Sequence, residues 1–139
     1  MDHPNVIKCE EILSSARNCY IITELCSDGN LDEKLKVNGP YQEYQLYPII
    51  KDVYAGLTYL SRNSIVHRDI KISNVLINKG VYQIADFGFA KVSRYQYSEF
   101  RFDFKDISIG SPIYMSPEGY IDNIYGPKTD VWSFGIMIM

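Results

Sequence analysis

Asp69, Lys71 and Asn74 stand within six positions of one another in the run IVHRDIKISNVLI, residues 65–77, and Asp86 follows in ADFG at residues 85–88. A carboxylate can take a proton from a hydroxyl, and a lysine two residues on can steady an anion beside it. An amide oxygen and a second carboxylate suit a hard cation, since Mg2+ binds few protein oxygens and completes its shell with phosphate and water. The tripeptide HRD alone carries little weight, because His beside Arg and Asp more often marks a solvated corner. Four such groups in so short a span ask for one shared ligand, and phosphoryl transfer uses this combination of parts.

These groups need elements to hold them. NVIKCEEIL and CYIITELC are β-rich runs separated by SSARN, a pattern of two hairpin strands. LDEKLKV reads as a short helix stopped by NGP. Leu46, Ile49, Ile50, Val53, Leu57 and Leu60 recur at intervals of three and four, which is one face of an amphipathic helix between Tyr41 and Arg62. Pro48 falls in its early part, where it removes a backbone bond or delays the start. SIV, NVLI and VYQIA are too brief for helices and rich in Val and Ile, so they read as strands, the last two joined by the turn NKG. The catalytic candidates therefore occupy a loop between short buried strands, with Asp86 at a strand end. Residues 89–128 keep no period and read as a long loop. TDVWSFGIMIM begins a buried helix with Thr129 as N-cap and Asp130 in the favourable first turn.

The chain has 139 residues, 46% hydrophobic and 22% charged, an ordinary globular balance. A net charge of −3 leaves no basic field for the phosphates of a nucleic acid, which is excluded as a partner. Cys9, Cys19 and Cys26 show no CxxC spacing, which points to a reduced, intracellular and cytoplasmic setting. The first residues do not read as a secretory signal, and no run reaches the roughly 20 apolar residues of a membrane span.

HRDIKISN, DFG, GSPIYMSPE and DVWSFG, in this order, make the chain resemble the eukaryotic protein kinases, serine/threonine branch. The resemblance implies an α+β, two-lobe fold: residues 1–27 as the end of the small lobe and the hinge, and 28–139 as part of the large lobe. It covers nearly the whole chain but about half of a kinase domain, so the chain is expected to be a fragment, inactive by itself. The implied activity is transfer of the ATP γ-phosphate to protein Ser or Thr hydroxyls. A noncatalytic, pseudokinase-like binding module is the alternative.

By that resemblance Asp69 is the base, Lys71 steadies the transferring phosphate, and Asn74 and Asp86 bind Mg2+. His67 packs beneath Phe87, itself similar to the family's switch residue. YIITELCSDGN resembles the hinge: Thr23 as gatekeeper, Glu24 and Cys26 offering backbone groups to adenine, Asn30 near the ribose and Leu76 beneath adenine. Lys71, with Ser111 in GSPIY, points to the serine/threonine branch. Ser116 stands where the family usually has alanine. Arg68, directly before the base, resembles the arginine that gains a partner when the activation loop is phosphorylated by an upstream kinase. The family's spacing places that phosphosite at Ile107, so either Ser108 takes the phosphate or Asp106 supplies a permanent charge; Ser111 is set aside because its hydroxyl is expected to bond Asp69 and Lys71.

Overall fold

The computed structural model describes residues 1–92, 102–103 (backbone only) and 109–139. In chain order the elements are β1 (Cys9–Ser14), β2 (Cys19–Thr23), α1 (Leu31–Asn38), α2 (Glu43–Arg62), β3 (Ile65–Val66), a 3-10 turn (Ile72–Asn74), β4 (Val75–Asn78), β5 (Val81–Ile84), β6 (Lys91–Val92), β7 (Phe102–Asp103), a second 3-10 turn (Pro112–Tyr114), α3 (Pro117–Asp122), β8 (Ile124–Tyr125) and α4 (Pro127–Met137). The strands pair antiparallel as β1–β2, β3–β6, β4–β5 and β7–β8.

The core forms where the apolar face of α2 meets the β4–β5 hairpin. Ile49, Val53, Leu57 and Leu60 are buried with Val75, Ile77 and Ile84, while Leu46 packs at the margin and Ile50 is half-buried. Burial of each such side chain contributes about 1.5–3 kcal/mol before entropy is counted. Pro48 lies inside α2 without ending it; it forfeits one backbone bond in an early turn, and packing of the later turns carries the helix through. Gly56 permits the close approach: a Cβ there would lie 2.6 Å from the Asn5 carbonyl oxygen and 2.9 Å from Ile84 Cδ1. The segment before β1 completes this layer, as Ile84 N donates to Asn5 O and Ile7 N to Ile84 O, both at 2.9 Å.

The hairpin turn Lys79–Gly80 has φ of 51° and 79°, the mirror-image turn geometry whose twist suits two-residue hairpins. α1 begins with a capping box: Asn30 Oδ1 accepts from Glu33 N at 2.9 Å and Glu33 Oε2 from Asn30 N at 3.2 Å.

Three expectations change. Residues 89–128 are not one irregular loop, since β6, β7, α3 and β8 lie within them; elements of two to six residues are too short to show a period. In α4 the N-cap is Gly126, not Thr129, because Pro127 occupies the first helical position, where its fixed φ and missing N–H cost nothing. Nor is α4 wholly buried: Thr129, Asp130 and Ser133 face inward, while Val131 and Trp132 are exposed. Among the described residues no helix is long and apolar enough to cross a membrane.

Candidate active site

Buried Val66 and Ile70 anchor the loop that follows β3 at both ends. Between them the backbone turns sharply at Arg68, with φ of 70°. The turn is held from α4, where Asp130 accepts from His67 N at Oδ2 and from Arg68 N at Oδ1, each at 2.8 Å. Burial pushes the Asp130 carboxyl up to about 6, against the pull of those two amides and of the Arg68 charge.

His67 is fully buried. Its Nδ1 accepts from Asp69 N at 3.3 Å, so the ring proton belongs on Nε2, which donates to Ala85 O at 3.0 Å. Burial lowers its pKa, and the ring is neutral. Phe87 meets it edge-on with centroids 4.9 Å apart. His67 thus ties Asp69 to the residue before Asp86.

Asp69 collects the polar groups. Its Oδ1 accepts from Ser111 N and from Ser111 Oγ, both at 3.0 Å. Its Oδ2 accepts from Asn74 Nδ2 at 3.0 Å and pairs with Lys71 Nζ at 2.8 Å. Burial alone would raise its pKa, but the hydrogen bonds from Lys71, Ser111 and Asn74 and the charge of Lys71 outweigh it and hold the carboxyl below its ordinary value. Lys71 Nζ also donates to Ser111 Oγ at 3.0 Å, so the Ser111 hydroxyl bonds both groups.

Asn74 ends the first 3-10 turn, with both amide protons directed at Asp69, one to its backbone O at 2.9 Å. That orientation leaves Asn74 Oδ1 as the atom to meet a cation. Ala85 N donates to Asn74 O at 2.9 Å, which sets Asp86 one residue beyond Asn74's partner across the hairpin. Asp86 is exposed at φ 63°, its Oδ1 accepting from Gly88 N at 3.2 Å. One carboxylate and one amide oxygen, with no nitrogen or sulfur, form a donor set that fits Mg2+.

Arg68 Nε donates to Phe89 O at 2.5 Å and its guanidinium sits 5.7 Å from the Tyr125 ring centroid. Ser108, Asp106 and Ile107 lie outside the described residues. Ser116 caps α3, accepting from Gly119 N at 3.2 Å, a bond that alanine could not make.

The hinge candidates form a second group. Thr23 ends β2 opposite Cys9 and is exposed. Glu24 N donates to Lys8 O at 3.1 Å, and the Glu24 carboxylate accepts from Lys8 N, Gln83 Nε2 and Asn78 Nδ2 at 2.9, 3.1 and 3.1 Å. Cys26 Sγ donates to Gln83 Oε1 at 3.2 Å, and burial raises its thiol pKa. Asn30, whose side chain caps α1, bridges to Leu76 in β4. β4 thereby links the two groups, since Leu76 is two residues from Asn74.

Gln83 joins Glu24, Cys26 and the Pro4 carbonyl, yet nothing in the sequence singled it out. A glutamine between Tyr82 and Ile84 in an otherwise apolar strand was the available sign.

The sequence profile described as "Protein kinase domain" matches residues 1–139. Calcium-dependent protein kinase 5 of Plasmodium berghei (strain Anka) is 34% identical over 99% of this chain and 24% of its own length. Serine/threonine protein kinase OSK3 of Oryza sativa subsp. indica is 33% identical over 98% of the chain and 26% of its own. Serine/threonine-protein kinase 33 of Bos taurus is 30% identical over 98% and 29%. The chain spans about a quarter of the length of the curated relatives it matches.

Proposed function

The chain belongs to the protein kinase domain family, and from that premise we propose that it forms part of a catalytic domain phosphorylating Ser or Thr hydroxyls of proteins. The observation that carries this reading is the Asp69 carboxylate, kept ionised by Lys71, Ser111 and Asn74 and able to take a hydroxyl proton. ATP would supply the phosphoryl group, and Mg2+ held by Asn74 and Asp86 would offset the charge on its phosphates. Asp69 orients the attacking hydroxyl and receives its proton. Lys71, already at the carboxylate, meets the negative charge that develops beside it. Asn74 Oδ1 and the Asp86 carboxylate are the cation's oxygen donors. Glu24 and Cys26 offer backbone groups to adenine, with Thr23 as gatekeeper, Asn30 by the ribose and Leu76 beneath the ring.

On this reading residues 1–27 are the end of a small lobe with its hinge and 28–139 part of a large lobe. Phe87, packed on His67, is the switch residue beside Asp86. Arg68 receives a phosphate placed on Ser108 by an upstream kinase. Three free cysteines accord with a cytoplasmic setting. The test incubates the full-length protein with labelled ATP, Mg2+ and a peptide carrying Ser, Thr and Tyr. Labelled phosphoserine or phosphothreonine is expected; ATP binding without transfer, under conditions where a control kinase labels the peptide, overturns the proposal.

A further inference from the structure

Tyr125 lies outside the groups assigned above, yet one buried oxygen on it touches the segment that holds the base. Only 3% exposed in β8, it accepts from Ile109 N at 3.1 Å and donates to Ile109 O at 3.0 Å through the same hydroxyl. Both backbone groups of Ile109 are thus fixed by one phenol. Gly110 follows with φ of 112°, pressed so close that a Cβ would lie 2.7 Å from Arg68 O. Next comes Ser111, whose N and Oγ each reach Asp69 Oδ1 at 3.0 Å.

We propose that Tyr125 is a positioning residue for Asp69, acting through Ile109, Gly110 and Ser111. With Ile109 clipped and Gly110 seated against the Arg68 carbonyl, little backbone freedom remains to place Ser111, and Ser111 in turn fixes one oxygen of the carboxylate. Packing alone does not need the hydroxyl: a phenylalanine would fill the same space and still lie beneath the Arg68 guanidinium. The consequence for catalysis rests on the proposed role of Asp69.

Tyr125→Phe removes the clip and keeps the ring. In the full-length protein the Ile109 and Ser111 amides, followed by NMR hydrogen exchange, should both exchange faster, by about tenfold if the lost bond is of ordinary strength. In kinetic assays kcat should fall about tenfold, the scale of a small misplacement, while KM for ATP stays as in the parent. A Ser111 amide that keeps its protection, or an unchanged kcat, overturns the proposal. So does a parallel loss of kcat, ATP affinity and thermal midpoint, because that marks a merely structural role. If the parent protein transfers no phosphate, the proposed function fails, while the exchange measurement still decides whether Tyr125 governs Ser111.

Discussion

Asp69 and Asp130 are each 4% exposed, yet their acidities move in opposite directions. In the loop after β3 the Lys71 cation, the Ser111 hydroxyl and two N–H groups, from Ser111 and Asn74, surround the carboxylate and keep it charged. At the start of α4 two backbone amides serve the other carboxylate, and they do not offset the cost of burying the charge. Equal burial therefore leaves one aspartate ionised, as its proposed role as base requires, and the other a structural clasp. What separates them is the charge and number of their donors.

Removing the charge at each site should break the comparison in different ways. Asp69→Asn in the full-length protein should lower kcat by roughly 100- to 10,000-fold, with nucleotide affinity retained in a titration; a variant that turns over normally would refute its assignment as base. Asp130→Ala should leave turnover chemistry untouched in kind but unfold the protein more easily, because the His67 and Arg68 amides lose their acceptor at about 1–3 kcal/mol each. Urea denaturation reads this loss, and Asp130→Asn, which keeps one carbonyl oxygen, should lose less.

Acidity separates the pair further. The folded value of Asp130, about 6, stands above its ordinary 3.8, so its stabilising contribution is full below the lower value and lost as pH rises through the upper one. Asp69 is depressed, so its contribution is present above its ordinary value and lost as pH falls through the lower folded one. The stability of the parent relative to Asp130→Asn should hence decline from about pH 4 to about pH 6 in urea titrations. A flat difference would show that folding does not raise the pKa of this carboxyl. The smallest effect is expected from a neutral site nearby: Ser116→Ala should cost about 1 kcal/mol as a lost helix cap, with a shift in thermal midpoint and no change in pH dependence.

The residues proposed to do chemistry were legible because their types cannot vary freely. A base, a cation donor and a metal pair leave Asp69, Lys71, Asn74 and Asp86 recognisable at short spacing, and the contacts among the first three are all local. The long helix was legible for a different reason, since Ile49, Val53, Leu57 and Leu60 repeat with its period. Asp130 could be read only as a favourable first-turn acid, because its partners lie 62 and 63 positions away. Thr129 was misread as a cap because a hydroxyl at a helix start resembles one until Pro127 is given its place. Tyr125 left no pattern and Gln83 only a polar residue in an apolar strand, because both are single polar tips that find distant backbone or side-chain partners through the fold alone.

β4 carries a further consequence. On the proposed assignment Leu76 supports the nucleotide's base and Asn74, the residue just before the strand, faces its phosphates, so the start of β4 sets the distance between them. Its register is locked on one side by Val75 opposite Ile84 and Leu76 opposite Gln83, and on the other by the bridge from Leu76 to Asn30. A slip of one residue would turn every side chain to the opposite face. The strand is a ruler that admits no intermediate setting, and a single inserted residue there should separate base recognition from metal binding without touching either set of side chains.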